Sequence, residues 1–122
     1  MNWDNIKHFK SSEFDSKDSP GSGVNMQQEF IQRLDIAREI AGVPFNINSG
    51  YRTEAHNTKV GGSPNSSHLR GWAADIECLG GRERWLIINA LLEVGFNRIG
   101  IYSTFIHADC DPSLPKNVIW VK

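Results

Sequence analysis

Two hexapeptides constrain this chain more than any other part of it. Residues 73–78 read Ala-Ala-Asp-Ile-Glu-Cys, and residues 105–110 read Phe-Ile-His-Ala-Asp-Cys. Successive side chains of a β-strand point to opposite faces. In the first segment Ala74, Ile76 and Cys78 share one face, and Ala73, Asp75 and Glu77 share the other. In the second, Ile106, Ala108 and Cys110 lie opposite Phe105, His107 and Asp109. Each strand thus has an apolar side fit for a core. Its other side presents an acid, or a histidine with an acid.

The remaining segments supply the material to cover the apolar sides. Asn25 with Gln28 three residues later resembles a capping box. Met26, Phe30, Leu34, Ala37 and Ile40 follow at helical spacing, and Gly42 stands where a helix C-cap would. A second helix is expected over residues 82–94, with Trp85, Ile88 and Leu92 on one side and Gly95 at its end. Residues 44–52 alternate as a short strand ending at Ser49-Gly50. Residues 98–102 and 105–110 read as a hairpin about Ser103-Thr104, and residues 117–121 as an edge strand. Residues 11–25 read as a loop. Residues 53–71 hold Gly61, Gly62, Pro64 and Gly71 among polar residues and read as a long irregular segment, a kind that is commonly functional.

Length and composition remove several function classes. A chain of 122 residues holds one domain with one core, here residues 1–122. With 39% hydrophobic and 22% charged residues, wholesale disorder is excluded. A net charge of −1 gives no electrostatic footprint for nucleic acid. No apolar run approaches the roughly 20 residues of a membrane span. The opening Met1-Asn2-Trp3-Asp4-Asn5 is not a secretory signal, so a soluble, monomeric chain made in the cytosol is expected. Cys78 and Cys110 are expected as buried thiols, with a disulfide as the alternative.

The chemistry follows from the polar faces. If the two strands are neighbours with matching faces, Asp75, His107 and Asp109 converge. His68 precedes Asp75 by seven residues, in the glycine-bounded loop, and can fold back over it. Two imidazoles and one carboxylate suit a catalytic zinc, which takes three protein ligands and leaves a fourth position for water. That water ionises near neutral pH.

These residues carry a family resemblance. Ser66-Ser67-His68-Leu69-Arg70-Gly71-Trp72-Ala73-Ala74-Asp75 matches S-x-H-x-x-G-x-A-x-D. That pattern resembles the M15 family of zinc D-alanyl-D-alanine carboxypeptidases and related peptidoglycan peptidases. Ser49-Gly50-Tyr51-Arg52 is similar to that family's S-G-Y-R segment, and Phe105-Ile106-His107-Ala108-Asp109 to its closing strand. The likeness covers residues 8 to 111 and is nearest to compact single-domain members found in phages and prophages. It implies an α+β fold, a small antiparallel sheet with helices packed on one face. It implies zinc at His68, Asp75 and His107, and Arg52 facing substrate, where its donor fork suits a carboxylate or an oxyanion. Ser49 is expected to fix the loop beside substrate, and His56 to line the cleft.

One departure matters. Many members carry a Glu three residues before the last histidine ligand; here that position is Thr104. Asp109 is the expected substitute as general base, with Glu77 as competitor. The alternative is that Asp109 orients a ligand histidine. The implied activity is hydrolysis of peptidoglycan stem peptides, by carboxypeptidase or endopeptidase action. The competing implication is a zinc-stabilised binding module of the same fold, since the hedgehog signalling domain also resembles this family.

Overall fold

The computed structural model describes residues 2–122. Its centre is a five-stranded sheet built from β1 (Ile47–Ser49), β2 (Ala73–Glu77), β3 (Arg98–Ile101), β4 (Phe105–Asp109) and β5 (Val118–Val121). The strand order is β1-β2-β4-β3-β5. All pairs are antiparallel except β3 with β5, which run parallel, so the expected edge strand forms but departs from a wholly antiparallel sheet.

The register decides what the sheet can do. β2 and β4 pair Ala73 with Asp109, Asp75 with His107, and Glu77 with Phe105. The two polar sides therefore coincide, as alternation predicts. The next strands extend the same row, with Gly100 opposite His107 and Trp120 opposite Gly100.

The other face is the core. Ala74, Ile76, Ile99, Ile106 and Ala108 are fully buried against the helices. The helix α1 (Gln28–Ala41) contributes Phe30, Ile31, Leu34 and Ala37, spaced to line one side of a 3.6-residue period. It ends as expected at Gly42, whose φ of 70° suits a residue without a Cβ, and whose N–H returns to the Arg38 carbonyl. Its start differs from expectation. Residues Ser22–Asn25 form a 3-10 turn, and α1 begins after Gln27 with no side-chain cap. The Asp15 carboxylate holds that turn by accepting the N–H groups of Gly21 and Gly23 at 2.9 and 2.7 Å. Ile40 is exposed, and Ala41 takes the inward position instead.

The helix α3 (Gly81–Glu93) packs with Ile87, Ala90 and Leu91 inward. Trp85 and Leu92, expected to pack, are 65% and 50% exposed. Apolar residues run round most of this helix, so spacing alone admits two faces. The face with the small Ala90 lets the helix sit close to its neighbours and prevails. Between β1 and β2 the chain is more ordered than an irregular segment. The short helix α2 (Glu54–Lys59) is capped by Thr53, whose Oγ1 accepts the His56 N–H at 3.1 Å, and Ser67–Arg70 form a 3-10 turn. Both cysteines are buried and unpaired, and burial pushes the Cys110 thiol up to about 12. No helix among the described residues is long and apolar enough to cross a membrane.

Candidate metal centre

Asp75 and His107 meet because β2 and β4 place them directly opposite each other. His68 arrives from the 3-10 turn that precedes β2. Ser66 caps that turn by accepting the His68 N–H at 3.2 Å, and Gly71, with φ 76°, bends the chain into the strand. One ligand atom from each of His68, Asp75 and His107 lies within 4.8 Å of the others, and all three residues are buried.

The outer hydrogen bonds show what the inner atoms need. The His68 Nδ1–H donates to the Gly50 carbonyl at 2.7 Å. A carbonyl only accepts, so Nε2 keeps its lone pair, and it lies 3.3 Å from Asp75 Oδ1. The His107 Nε2–H donates to Asp109 Oδ2 at 2.7 Å, and its Nδ1 lies 2.9 Å from the same Asp75 oxygen. Two ring nitrogens and a carboxylate thus converge on one point, where a cation would meet all three. Two nitrogens and an oxygen are also the donor set of a divalent transition metal, with both rings held from behind as metal-bound histidines are. The residues present fit such an ion.

The protonation equilibria carry the same stamp. Burial pushes the Asp75 carboxyl up, but the adjoining His107 and His68 rings outweigh it and hold the group well below the usual carboxylate range. Burial lowers His68 and prevails over Asp75 there. Burial also lowers His107, yet the flanking Asp109 and Asp75 carboxylates reverse this and hold it above its ordinary value.

The Ser49-Gly50-Tyr51-Arg52 segment is the frame of this centre. Gly50 lies against Phe14, where a Cβ would come within 2.8 Å of the Phe14 backbone, and its carbonyl reaches His68. The Arg52 N–H bonds the His68 carbonyl at 3.1 Å. The Arg52 side chain is held by Ser49 Oγ on Nε at 2.9 Å and by Asn57 Oδ1 on Nη1 at 3.2 Å. Its Nη2 reaches Asp75 Oδ2 at 3.3 Å.

Asp109 stands behind His107. It is fully buried, and its Oδ2 also accepts from Ser67 Oγ at 3.1 Å. Its Oδ1 accepts the Asp111 N–H at 3.2 Å. Arg98 Nε lies 2.8 Å from Oδ1, but its N–H is not aimed at that oxygen, so the contact is an ion pair rather than a hydrogen bond. Glu77 is exposed and pairs with Phe105 at the far end of the strand, and Thr104 is exposed in the hairpin turn. His56 does not line the cleft. It belongs to a separate depression with Lys17, Asp18 and Lys59, because the Thr53 cap commits it to α2.

Above the three convergent residues lies an open cleft of about 410 Å³. One wall is the Val60–Ser63 stretch, and the other carries Tyr102 and Trp120. Sequence patterning did not single out Asn57, Ser67, Arg98, Tyr102 or Trp120. A family model described as Peptidase M15 matches residues 7–109. The chain belongs to the M15 peptidase family. M15 peptidases are metal-dependent, and the His68, Asp75 and His107 group is one that could bind the metal. The matched stretch takes in all three and Arg52, whereas Trp120 lies beyond it. No curated protein matches this chain.

Proposed function

We propose that this M15 peptidase is a zinc enzyme that hydrolyses peptide bonds in the stem peptides of bacterial peptidoglycan. The observation that carries the proposal is the convergence of two ring nitrogens and the Asp75 carboxylate at the floor of an open cleft. His68, Asp75 and His107 would hold the ion. When bound, the metal supplies a Lewis acid for the scissile carbonyl and hydroxide at neutral pH.

The chain's own residues do the rest. Asp109 fixes the His107 tautomer and orientation, with Ser67 and Arg98 holding the carboxylate in turn. This favours the orienting role over the general-base role, since Asp109 has no exposed surface. Arg52 steadies Asp75 and keeps one N–H on each Nη free of these bonds. Those N–H groups suit a substrate carboxylate, which a stem peptide presents. Ser49 acts by holding Arg52.

The test is a mass-spectrometric digest of purified peptidoglycan with zinc, without zinc, and with a chelator. Chelator-sensitive products support the proposal, and their masses name the bond. Loss of one D-Ala indicates a carboxypeptidase; split cross-links or freed stems indicate an endopeptidase. One observation favours a second reading, a zinc-stabilised binding module. Asp75 is the only carboxylate lining the cleft among the described residues. Zinc bound with no product from several wall chemistries would select that reading.

A further inference from the structure

The wall of the cleft opposite the Val60–Ser63 stretch carries Tyr102 and Trp120, to which neither the ligand pattern nor the frame of the centre gives a task. Arg98, Gly100 and Tyr102 follow one another on one side of β3 and its continuation, and Trp120 lies across from Gly100 on β5. Gly100 is required there. A Cβ on it would come within 2.6 Å of the indole of Trp120, so the ring lies flat over the glycine. The indole is thereby held between two neighbours. Its centroid is 5.3 Å from that of His107, and the Arg98 guanidinium carbon lies 5.4 Å from it. Its Nε1–H points along the sheet and donates to the Tyr102 hydroxyl at 3.1 Å.

Tyr102 is fixed on its other side as well. Its ring stacks on Phe105 at 4.3 Å and an interplanar angle of 10°. The phenol oxygen therefore has a fixed position with one acceptor site filled by Trp120. Its own O–H finds no acceptor among the described residues. This is an unspent donor on a rigid aromatic base, in the wall of the cleft, one indole away from His107. Tyr102 lines the same cleft as Arg52, the residue that grips Asp75.

The other donors of the cleft are partly committed or sit on flexible side chains, and the Arg52 N–H groups left over are assigned above to a substrate carboxylate. Three Arg52 nitrogens are committed to Ser49, Asn57 and Asp75. Ser66 and Ser63 use their oxygens as acceptors, from the His68 and Asn65 N–H groups, and their hydroxyls are not stacked or braced as the Tyr102 phenol is. A peptide carbonyl gains negative charge on oxygen as it is attacked. A donor held in place beforehand stabilises that charge without reorganising during the reaction.

We propose that Tyr102 is a catalytic hydrogen-bond donor to the scissile carbonyl oxygen, and that Trp120 is its positioning residue. The inference rests on the peptidase reading above. It adds a strand beyond the matched residues to the working part of the enzyme. The phenol only donates a hydrogen bond, so no bond of the side chain forms or breaks.

The test uses the full zinc-loaded chain and soluble muropeptides, both monomeric pentapeptide stems and cross-linked dimers. Tyr102→Phe keeps the ring and its stacking and removes only the hydroxyl. Its kcat is expected to fall about 100-fold, as for loss of one oxyanion donor, with KM changed less than about threefold. Zinc stoichiometry is expected to be unchanged. A phosphinate analogue of the D-Ala-D-Ala dipeptide, which mimics the tetrahedral state, is expected to bind the variant about 100-fold more weakly by calorimetry. Trp120→Phe keeps a ring over Gly100 and removes the N–H, and is expected to lower kcat about tenfold at unchanged zinc content. A Tyr102→Phe kcat within twofold of the parent overturns the donor role and leaves the peptidase reading standing. An unchanged kcat in Trp120→Phe overturns the positioning role. A parent chain that binds zinc but neither cleaves muropeptides nor binds the phosphinate overturns both proposals.

Discussion

Replacing Asp109 by Asn separates two chemically different tasks for one carboxylate. Asp109 Oδ2 takes hydrogen bonds from His107 Nε2 and Ser67 Oγ, and Oδ1 takes the Asp111 N–H while lying 2.8 Å from Arg98 Nε. An amide has only one acceptor oxygen. If that oxygen stays on His107, the NH2 group faces the Asp111 N–H and the Arg98 guanidinium, donor against donor. If it turns round, His107 loses the acceptor that fixes its tautomer. Both choices also remove the negative charge that holds His107 above its ordinary value. Loss of a group that orients a metal-binding histidine costs roughly 10- to 100-fold in metal affinity, or about 1.4–2.7 kcal/mol. The assay is a zinc titration against a competing chelator, followed by turnover measured far above the variant's Kd. The orienting role predicts weaker zinc binding and turnover restored to within about threefold once zinc saturates. A loss of 10²–10⁴-fold that persists at saturation, with zinc affinity unchanged, would return the proton-accepting role to Asp109 and refute the orienting one.

Three further outcomes are expected. His107→Ala removes one of three convergent donors, so zinc and activity are lost together; full zinc occupancy by elemental analysis removes His107 from the ligand set. Gly50→Ala puts a Cβ within 2.8 Å of the Phe14 backbone and displaces the carbonyl that orients His68. It is expected to cost about 1–3 kcal/mol in urea unfolding and to weaken zinc binding, and an unchanged midpoint contradicts the close approach. Burial pushes the Asp111 carboxyl up, but Ser113 hydrogen bonds and Arg70 outweigh it and leave it below the ordinary value. A lowered folded-state pKa stabilises the protein above the unfolded value near ~4, and that gain fades as pH falls through the folded one. Asp111→Asn should therefore unfold more readily at pH 7, by about 2 kcal/mol, and differ little from the parent in strong acid. A constant difference across a pH series of melts contradicts the assignment.

What could be read from the sequence was whatever the strand period controls. Alternation alone puts Asp75, His107 and Asp109 on one side, and the observed pairing of Asp75 with His107 needs only that β2 and β4 be neighbours. Period says nothing of depth. Asp109 shares a face with His107, but its burial comes from Ser67 and Arg98, which belong to other segments. The α3 face was ambiguous because that helix is apolar nearly all round, and only packing chose Ile87, Ala90 and Leu91. His56 lies outside the cleft because Thr53, a capping signal three residues earlier, commits it to α2. Tyr102 and Trp120 meet across strands that run parallel at the sheet edge, a contact with no local signature in either segment.

The alignment of the polar rows on β2 and β4 has a consequence for how the chain reaches its structure. β3 and β4 close as a local hairpin, whereas β2 must find β4 across the whole of α3, which makes that pairing the slow, long-range event. Docking one residue out of step would drive Asp75 into the apolar layer and lift Ile76 out of it, at a cost of several kcal/mol for the buried charge alone. The acid-and-histidine row therefore proofreads the sheet as it assembles. Since Asp75 and His107 stand together only in the native pairing, capture of a metal ion by that group in a refolding chain would mark the moment at which β2 docks correctly.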